Sequence, residues 1–264
     1  VLMLGYNGIR RKIGQTLKLL KSKTGILVIV AAVIGGPLGM SGYVFSINHI
    51  GAAYATSISA FFPAYGALLA HFVLKERMKS YQWIGLAVCL MAVALLSFSP
   101  DASVPGDWLL GVLGALVSVV GWGTEAVIIS YALRFGEADD ECCLQIRQTT
   151  SAVFYMAIIL PVLGGWGCAI DAFLSDAMPI IAVAGLLGAA SYLCYYKAIA
   201  RIGAAKSMAL NISYSGWAIP IAFILLGTIP TAVGIVCAIV IIIGSTVAAT
   251  DIKELFTKEA KESA

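Results

Sequence analysis

A chain of 264 residues that is 60% hydrophobic, 12% charged and +3 in net charge cannot cover a water-facing surface, because a soluble domain carries about 25% charged residues. Apolar runs of roughly 20 residues recur along its whole length, each long enough for a helix to cross a bilayer. Soluble enzymes and nucleic-acid-binding domains are excluded, and the sequence predicts an all-α polytopic membrane protein.

In chain order, residues 1–9 (VLMLGYNGI) are apolar and precede the basic cluster Arg10, Arg11 and Lys12. A signal peptide has the opposite order, so this stretch reads as the tail of a membrane helix. Apolar runs between polar breaks then predict helices near 26–47, 51–73, 81–98, 108–133, 145–165, 178–199, 204–226 and 231–250. Threading these through a bilayer places all 17 Lys and Arg at, or within about a turn of, one face. The opposite connections carry Asp101, Asp107, Asp171 and Asp176. Basic residues stay cytoplasmic, so the basic face and the C-terminus are expected inside, in the inner membrane. Cys142 and Cys143 are adjacent, the other cysteines lie in or beside apolar runs, and His49 and His71 stand alone. No cofactor, metal or redox site is expected.

The two halves resemble each other. The stretch beginning at Tyr43 aligns with that beginning at Tyr195, an offset of 152, and both carry an IGAA turn, at Ile50–Ala53 and Ile202–Ala205. Five spans lie between the copies, so they insert in opposite senses, as the inverted repeats of secondary transporters do. The expected organisation is a first repeat over 1–100, a second over 106–250 and a cytoplasmic tail over 251–264. Val1 aligns with Val153, so the first repeat lacks about 45 residues that the second has. The full protein is therefore expected to be an inverted five-plus-five arrangement of about ten helices. The first helix and part of the second are expected to be missing from this chain.

The IGAA turns, Pro63 in the next helix and LKERMKSYQWIG at its end, together with the repeats, resemble the drug/metabolite transporter superfamily, EamA type. GGPLGM (35–40), GWGTEAV (121–127), IRQTTS (146–151), SYLCYYKAIARIGAAK (191–206) and ALNISYSGW (209–217) more closely resemble the LicB-type choline permeases of bacteria. That resemblance implies uptake of choline, a quaternary ammonium, coupled to a proton.

Glu125 is the one acid that does not fall in a predicted loop. A lone carboxylate at membrane depth costs several kcal/mol unless it faces a cavity or a partner. It reads either as a neutral acid bonded to a neighbouring helix or as the counter-charge of a cationic substrate. Burial favours its neutral form and a bound cation its ionised form, which also makes Glu125 the proton-coupling candidate. Trp122 lies on the same face. Asn211, Tyr214 and Trp217 form a second polar-aromatic stripe, and ring faces attract quaternary ammoniums. The repeat offset adds Tyr65 as the partner of Trp217 and pairs Phe62 with Tyr214. Tyr192, Tyr195 and Tyr196 surround the partner helix; Tyr192 and Tyr196 join the candidate set, although periodicity does not choose among the three. Arg147 is expected to pair with an acid of the Glu137–Glu141 loop.

GWGTEA fits a dinucleotide fingerprint, but that motif needs a strand before it; within a membrane helix, small residues permit close packing. The leading function is a secondary transporter importing choline or a related quaternary ammonium. The alternative is an EamA-type exporter of amino acids or other small metabolites, which should bring a cation to bind a carboxylate. The predicted spans offer none at the midplane. An intramembrane enzyme would need a nucleophile-base pair or metal ligands, and one Glu with no buried His argues against it. The expected partners are a small cationic molecule and the lipid bilayer, with a homodimer left open and no nucleic acid.

Overall fold

The computed structural model describes residues 2–97, 106–136 and 138–251, and among them every regular element is a helix. α1 (Leu2–Ile9) and α2 (Ile13–Leu20) lead to α3 (Lys23–Val33), where the Ser22 hydroxyl accepts from the Gly25 amide as a cap. A π-helical turn, Ile34–Leu38, carries the chain into α4 (Gly39–Ser59). α5 (Phe62–Val73), α6 (Ser80–Ser97) and α7 (Trp108–Phe135) follow, the last capped by Asp107. α8 (Asp140–Phe154), capped by Asp139, passes through a second π-turn, Tyr155–Ile159, into the single turn α9 (Leu160–Val162). The chain bends by 119° into α10 (Trp166–Leu174), and α11 (Met178–Ile202), α12 (Ala204–Asn211), α13 (Tyr214–Leu226) and α14 (Ala232–Ala249) complete it. Six of these stretches are long and apolar enough to cross a membrane, or seven if the bent pair is one span.

The predicted spans 51–73 and 204–226 are each two helices. The first breaks at Ala60–Phe61 and the second at Ile212–Ser213, again 152 residues apart. Pro63 explains the first break, because it cannot donate a backbone hydrogen bond to the turn before it. Both IGAA turns have the same backbone: Gly51 lies at φ 78°, ψ 161° and Gly203 at φ 84°, ψ 171°. Only glycine reaches that region at no steric cost. α6 and α14 also start and end at the same offset. The predicted helix 145–165 instead bends at Gly164, whose φ of 63° ends it.

Small residues set the spacing. On α6 and α14, the Gly85 and Gly244 carbonyls each lie 2.9 Å from where the other residue's Cβ would stand. On α4 and α7, Gly42 and Gly114 do the same at 2.7 Å. Backbones this close gain dispersion contact that larger side chains would prevent. Large apolar residues such as Leu187, Ile224 and Leu226 face outward, as lipid-facing surfaces require. Asp101, Glu137 and the tail beyond Asp251, with Lys253, Lys258 and Lys261, lie outside the described residues.

Candidate functional site

The site begins with the two glycines of GWGTEA. A Cβ at Gly121 would stand 2.8 Å from the Ile34 carbonyl oxygen, and one at Gly123 would stand 3.0 Å from that of Phe62. α7 therefore lies in backbone contact with the first π-turn on one side and α5 on the other. Trp122, held between those contacts, meets the Phe62 ring edge-on at 5.7 Å and the Tyr43 ring at 5.5 Å. One turn later, Glu125 is set against Gly35, where a Cβ would fall inside the carboxylate, 2.5 Å from its Cδ and 2.6 Å from its Cβ. Pi-helical turns inside α-helices gather at functional sites, and this one makes room for an acid.

Arg147 overturns two expectations. Among the described residues its ion-pair partner is Glu125, and not an acid of the 139–141 stretch. Its Nε donates to Glu125 Oε1 at 2.7 Å and its Nη2 to Oε2 at 3.4 Å, with the two side chains only 10% and 9% exposed. The Tyr196 hydroxyl donates to the same Oε1 at 3.4 Å. A cationic group therefore does stand within the spans, contrary to the argument made against a zwitterion exporter. The reason is helix register: α8 begins at Asp140, so Arg147 lies two turns inside the helix and not at its mouth. A buried carboxylate also needs a partner to be tolerated. Arg147 further lays its Cζ 4.6 Å from the Tyr192 ring centroid, and its Nη2 donates to the Tyr192 hydroxyl at 3.4 Å.

These groups line a cavity of about 970 Å³. Of the candidates, Glu125, Trp122, Tyr192, Tyr196, Asn211 and Tyr214 line it, together with Tyr195 and Phe62. Asn211 and Tyr214 flank the α12–α13 break, and Phe62 opens the helix after the equivalent break in the other half. Tyr65 and Trp217 are not among the lining residues. The Tyr65 hydroxyl meets Thr124 Oγ1 at 3.4 Å, and Trp217 is 53% exposed on α13. Sequence reading missed Arg147, Tyr155 and the glycine floor at Gly35 and Gly36; the GGP run was the only signal for that floor. Chemically, the cavity offers one ion pair inside a set of ring faces.

Two further acids assigned to loops are held inside. Glu76 accepts from the Ala204 and Ala205 amides at 3.1 and 3.0 Å and from Arg134 Nη1 at 2.9 Å, capping α12. Glu141, with its side chain 3% exposed, lies 2.6 Å from Lys12 Nζ and accepts from the Tyr6 hydroxyl at 3.0 Å. Lys12 also donates to Asp139 at 2.7 Å. Burial pushes the Lys12 ammonium down, but its hydrogen bonds to Asp139 and Glu141 outweigh this and hold it above its usual value. Burial likewise pushes Asp139 up, and its bonds from Lys12 and the Cys142 amide outweigh this and hold it below the usual carboxylate range.

A model of the EamA-like transporter family matches residues 4–98 and 109–250. Protein LicB of Haemophilus influenzae is 32% identical over 199 residues, covering 74% of this chain and 65% of that protein. An uncharacterized transporter of Clostridium kluyveri is 23% identical over 262 residues, covering 94% of this chain and 81% of that one. A crystal structure aligns with a TM-score of 0.66 at 18% identity, over 93% of this chain and 84% of its own; this likeness concerns the fold alone.

Proposed function

The chain belongs to the EamA-like transporter family and is a multi-pass membrane protein; from that premise we propose that it imports choline or a related quaternary ammonium, coupled to a proton, across a bacterial inner membrane. The observation that carries this reading is the cavity in which Glu125 stands among Trp122, Tyr192, Tyr196 and Tyr214. A quaternary ammonium has no N–H to donate, so it gains from ring faces and from one carboxylate, each ring contributing about 0.5–2 kcal/mol. Glu125 is the proposed counter-charge and proton carrier. Asn211, in the lining, is the proposed partner of the substrate's hydroxyl, while Tyr65 and Trp217 lie outside the lining and are given no contact with it. Similarity to Protein LicB and the motifs shared with choline permeases support the choice of substrate.

The two halves act as inverted repeats over 1–100 and 106–250, a reading supported by the matched Gly51 and Gly203 turns and the matched helix breaks. Transporters of this design bind cargo where discontinuous helices meet between repeats. With the basic face inward, an inside-negative potential favours entry of a monovalent cation by about 2.3 kcal/mol per 100 mV. The test is uptake of labelled choline by vesicles containing the protein, under an inside-negative potential and with a proton gradient imposed in either direction, since a carboxylate that holds either the cation or a proton couples the two by exchange. Saturable uptake competed by tetramethylammonium is expected. No uptake above protein-free vesicles would defeat the reading.

One observation favours a second reading, export of amino acids or other small metabolites: Arg147 supplies in the cavity the cation that a carboxylate would seek. Movement of labelled amino acids, with choline neither moved nor competing, would select it.

A further inference from the structure

One guanidinium already holds both features that a quaternary ammonium would use. Arg147 engages Glu125 through two N–H donors, at 2.7 and 3.4 Å, and covers the Tyr192 ring at 4.6 Å. Both charged side chains are about nine-tenths shielded from solvent, and both line the cavity. Glu125 and Arg147 together are neutral. A ligand that brings only positive charge therefore meets no net attraction while the pair stays closed.

Such a ligand can take the edge of the carboxylate and the face of the ring that Arg147 covers only by exchange. Nε and Nη2 of Arg147 make its hydrogen bonds among the described residues, and Nη1 makes none. Once displaced, the planar fork is available to a carboxylate, which it matches in two-point geometry. A zwitterion could thus use both halves of the opened pair, whereas a plain cation uses one.

We propose that Arg147 is a tethered competitor of the substrate: a quaternary ammonium binds by displacing its guanidinium from Glu125 and from the Tyr192 face. The arginine thereby limits affinity for purely cationic ligands. This rests on the reading of the cavity as a quaternary-ammonium site.

Purified wild-type protein, Arg147→Lys, Arg147→Gln and the double variant Glu125→Gln/Arg147→Gln are titrated with choline, tetramethylammonium and trimethylglycine, at a pH well above the carboxylate range. Binding heats are measured, and thermal unfolding reports folding. Choline affinity is expected to rise from wild type through Arg147→Lys to Arg147→Gln. The last gain is on the order of tenfold, as one recovered ring contact implies. The double variant should lose that gain, because the carboxylate is gone, and trimethylglycine should not share it. If Arg147→Gln does not fold, Arg147→Lys decides, since lysine keeps the charge but loses the planar stack and fork. Choline affinity equal to or below wild type in the folded variants overturns the proposal and leaves the substrate reading standing, with Arg147 reduced to positioning Glu125. If no quaternary ammonium binds any of the four proteins, the substrate reading itself fails, and the proposal with it.

Discussion

Gly35→Ala probes the floor of the site. The added methyl would lie 2.5 Å from Glu125 Cδ and 2.6 Å from its Cβ, where ordinary van der Waals contact begins near 3.4 Å, a shortfall of about 0.8 Å. Turning the carboxylate away cannot relieve the contact with Cβ, so the first π-turn and α7 must part. Overpacking of this kind costs about 1–3 kcal/mol. If the 2.7 Å contact with Arg147 opens as well, loss of a buried pair adds to it, at up to about 3–5 kcal/mol. We expect a net loss of about 2–4 kcal/mol. Gly36→Ala is the control, because its methyl meets the Ser151 side chain, whose hydroxyl can rotate away and whose Cβ lies at 3.3 Å; it should cost no more than about 1.5 kcal/mol. Unfolding by titration with a denaturing detergent, followed by circular dichroism, measures both. If Gly35→Ala is no worse than Gly36→Ala, the carboxylate does not sit where the glycine floor places it.

Trp122→Ala should weaken choline binding by about 1–2 kcal/mol, whereas Trp217→Ala, which removes a ring outside the cavity lining, should change it by less than about 0.5 kcal/mol; calorimetry separates the two. Glu76→Ala strips two amide bonds from the start of α12 and should destabilise by about 1–3 kcal/mol. Arg134→Ala should cost under about 1 kcal/mol, since that side chain is 43% exposed; detergent unfolding ranks them. Asp139, held below its ordinary range by Lys12 and the Cys142 amide, stabilises fully above the unfolded carboxyl value near 4 and loses this as pH falls through its lower folded value. Asp139→Asn should therefore flatten the acid end of a stability-pH curve, and an unchanged slope there would count against the Lys12 contact.

Much of the fold was legible because a bilayer demands long apolar runs, and the IGAA turns marked where both halves change direction. The breaks at Ala60–Phe61 and Ile212–Ser213 were not, since each lies inside a run without charge, and the polar residues near them, Ser59 in the first half and Asn211, Ser213 and Ser215 in the second, are tolerated within a membrane helix; only Pro63 hints at one. Within the site, helical spacing put Trp122 beside Glu125, because neighbours on one helix are fixed by its period; Asn211 and Tyr214 both reach the cavity, but from opposite sides of the α12–α13 break. Arg147 escaped because its partner lies on another helix, and no period reports which helices touch. Glu76 and Glu141 escaped for a related reason. Glu76 among lysines and arginines, and Glu141 in the acidic run Glu137 to Glu141, look like ordinary solvated charges at helix ends, and only the arrival of α12, or of Lys12 and Tyr6, buries them.

The cap that Glu76 places on α12 spans 128 residues of chain. At roughly 5–20 residues per second of synthesis, the acid emerges about 6–25 s before the amides it will accept from. For that interval the connection between α5 and α6 carries a carboxylate without its final partners, and α12 has no first turn to offer. Completion of a helix late in the chain thus depends on a residue made early, so the amides of α12 are satisfied only when the two halves have met in the right register.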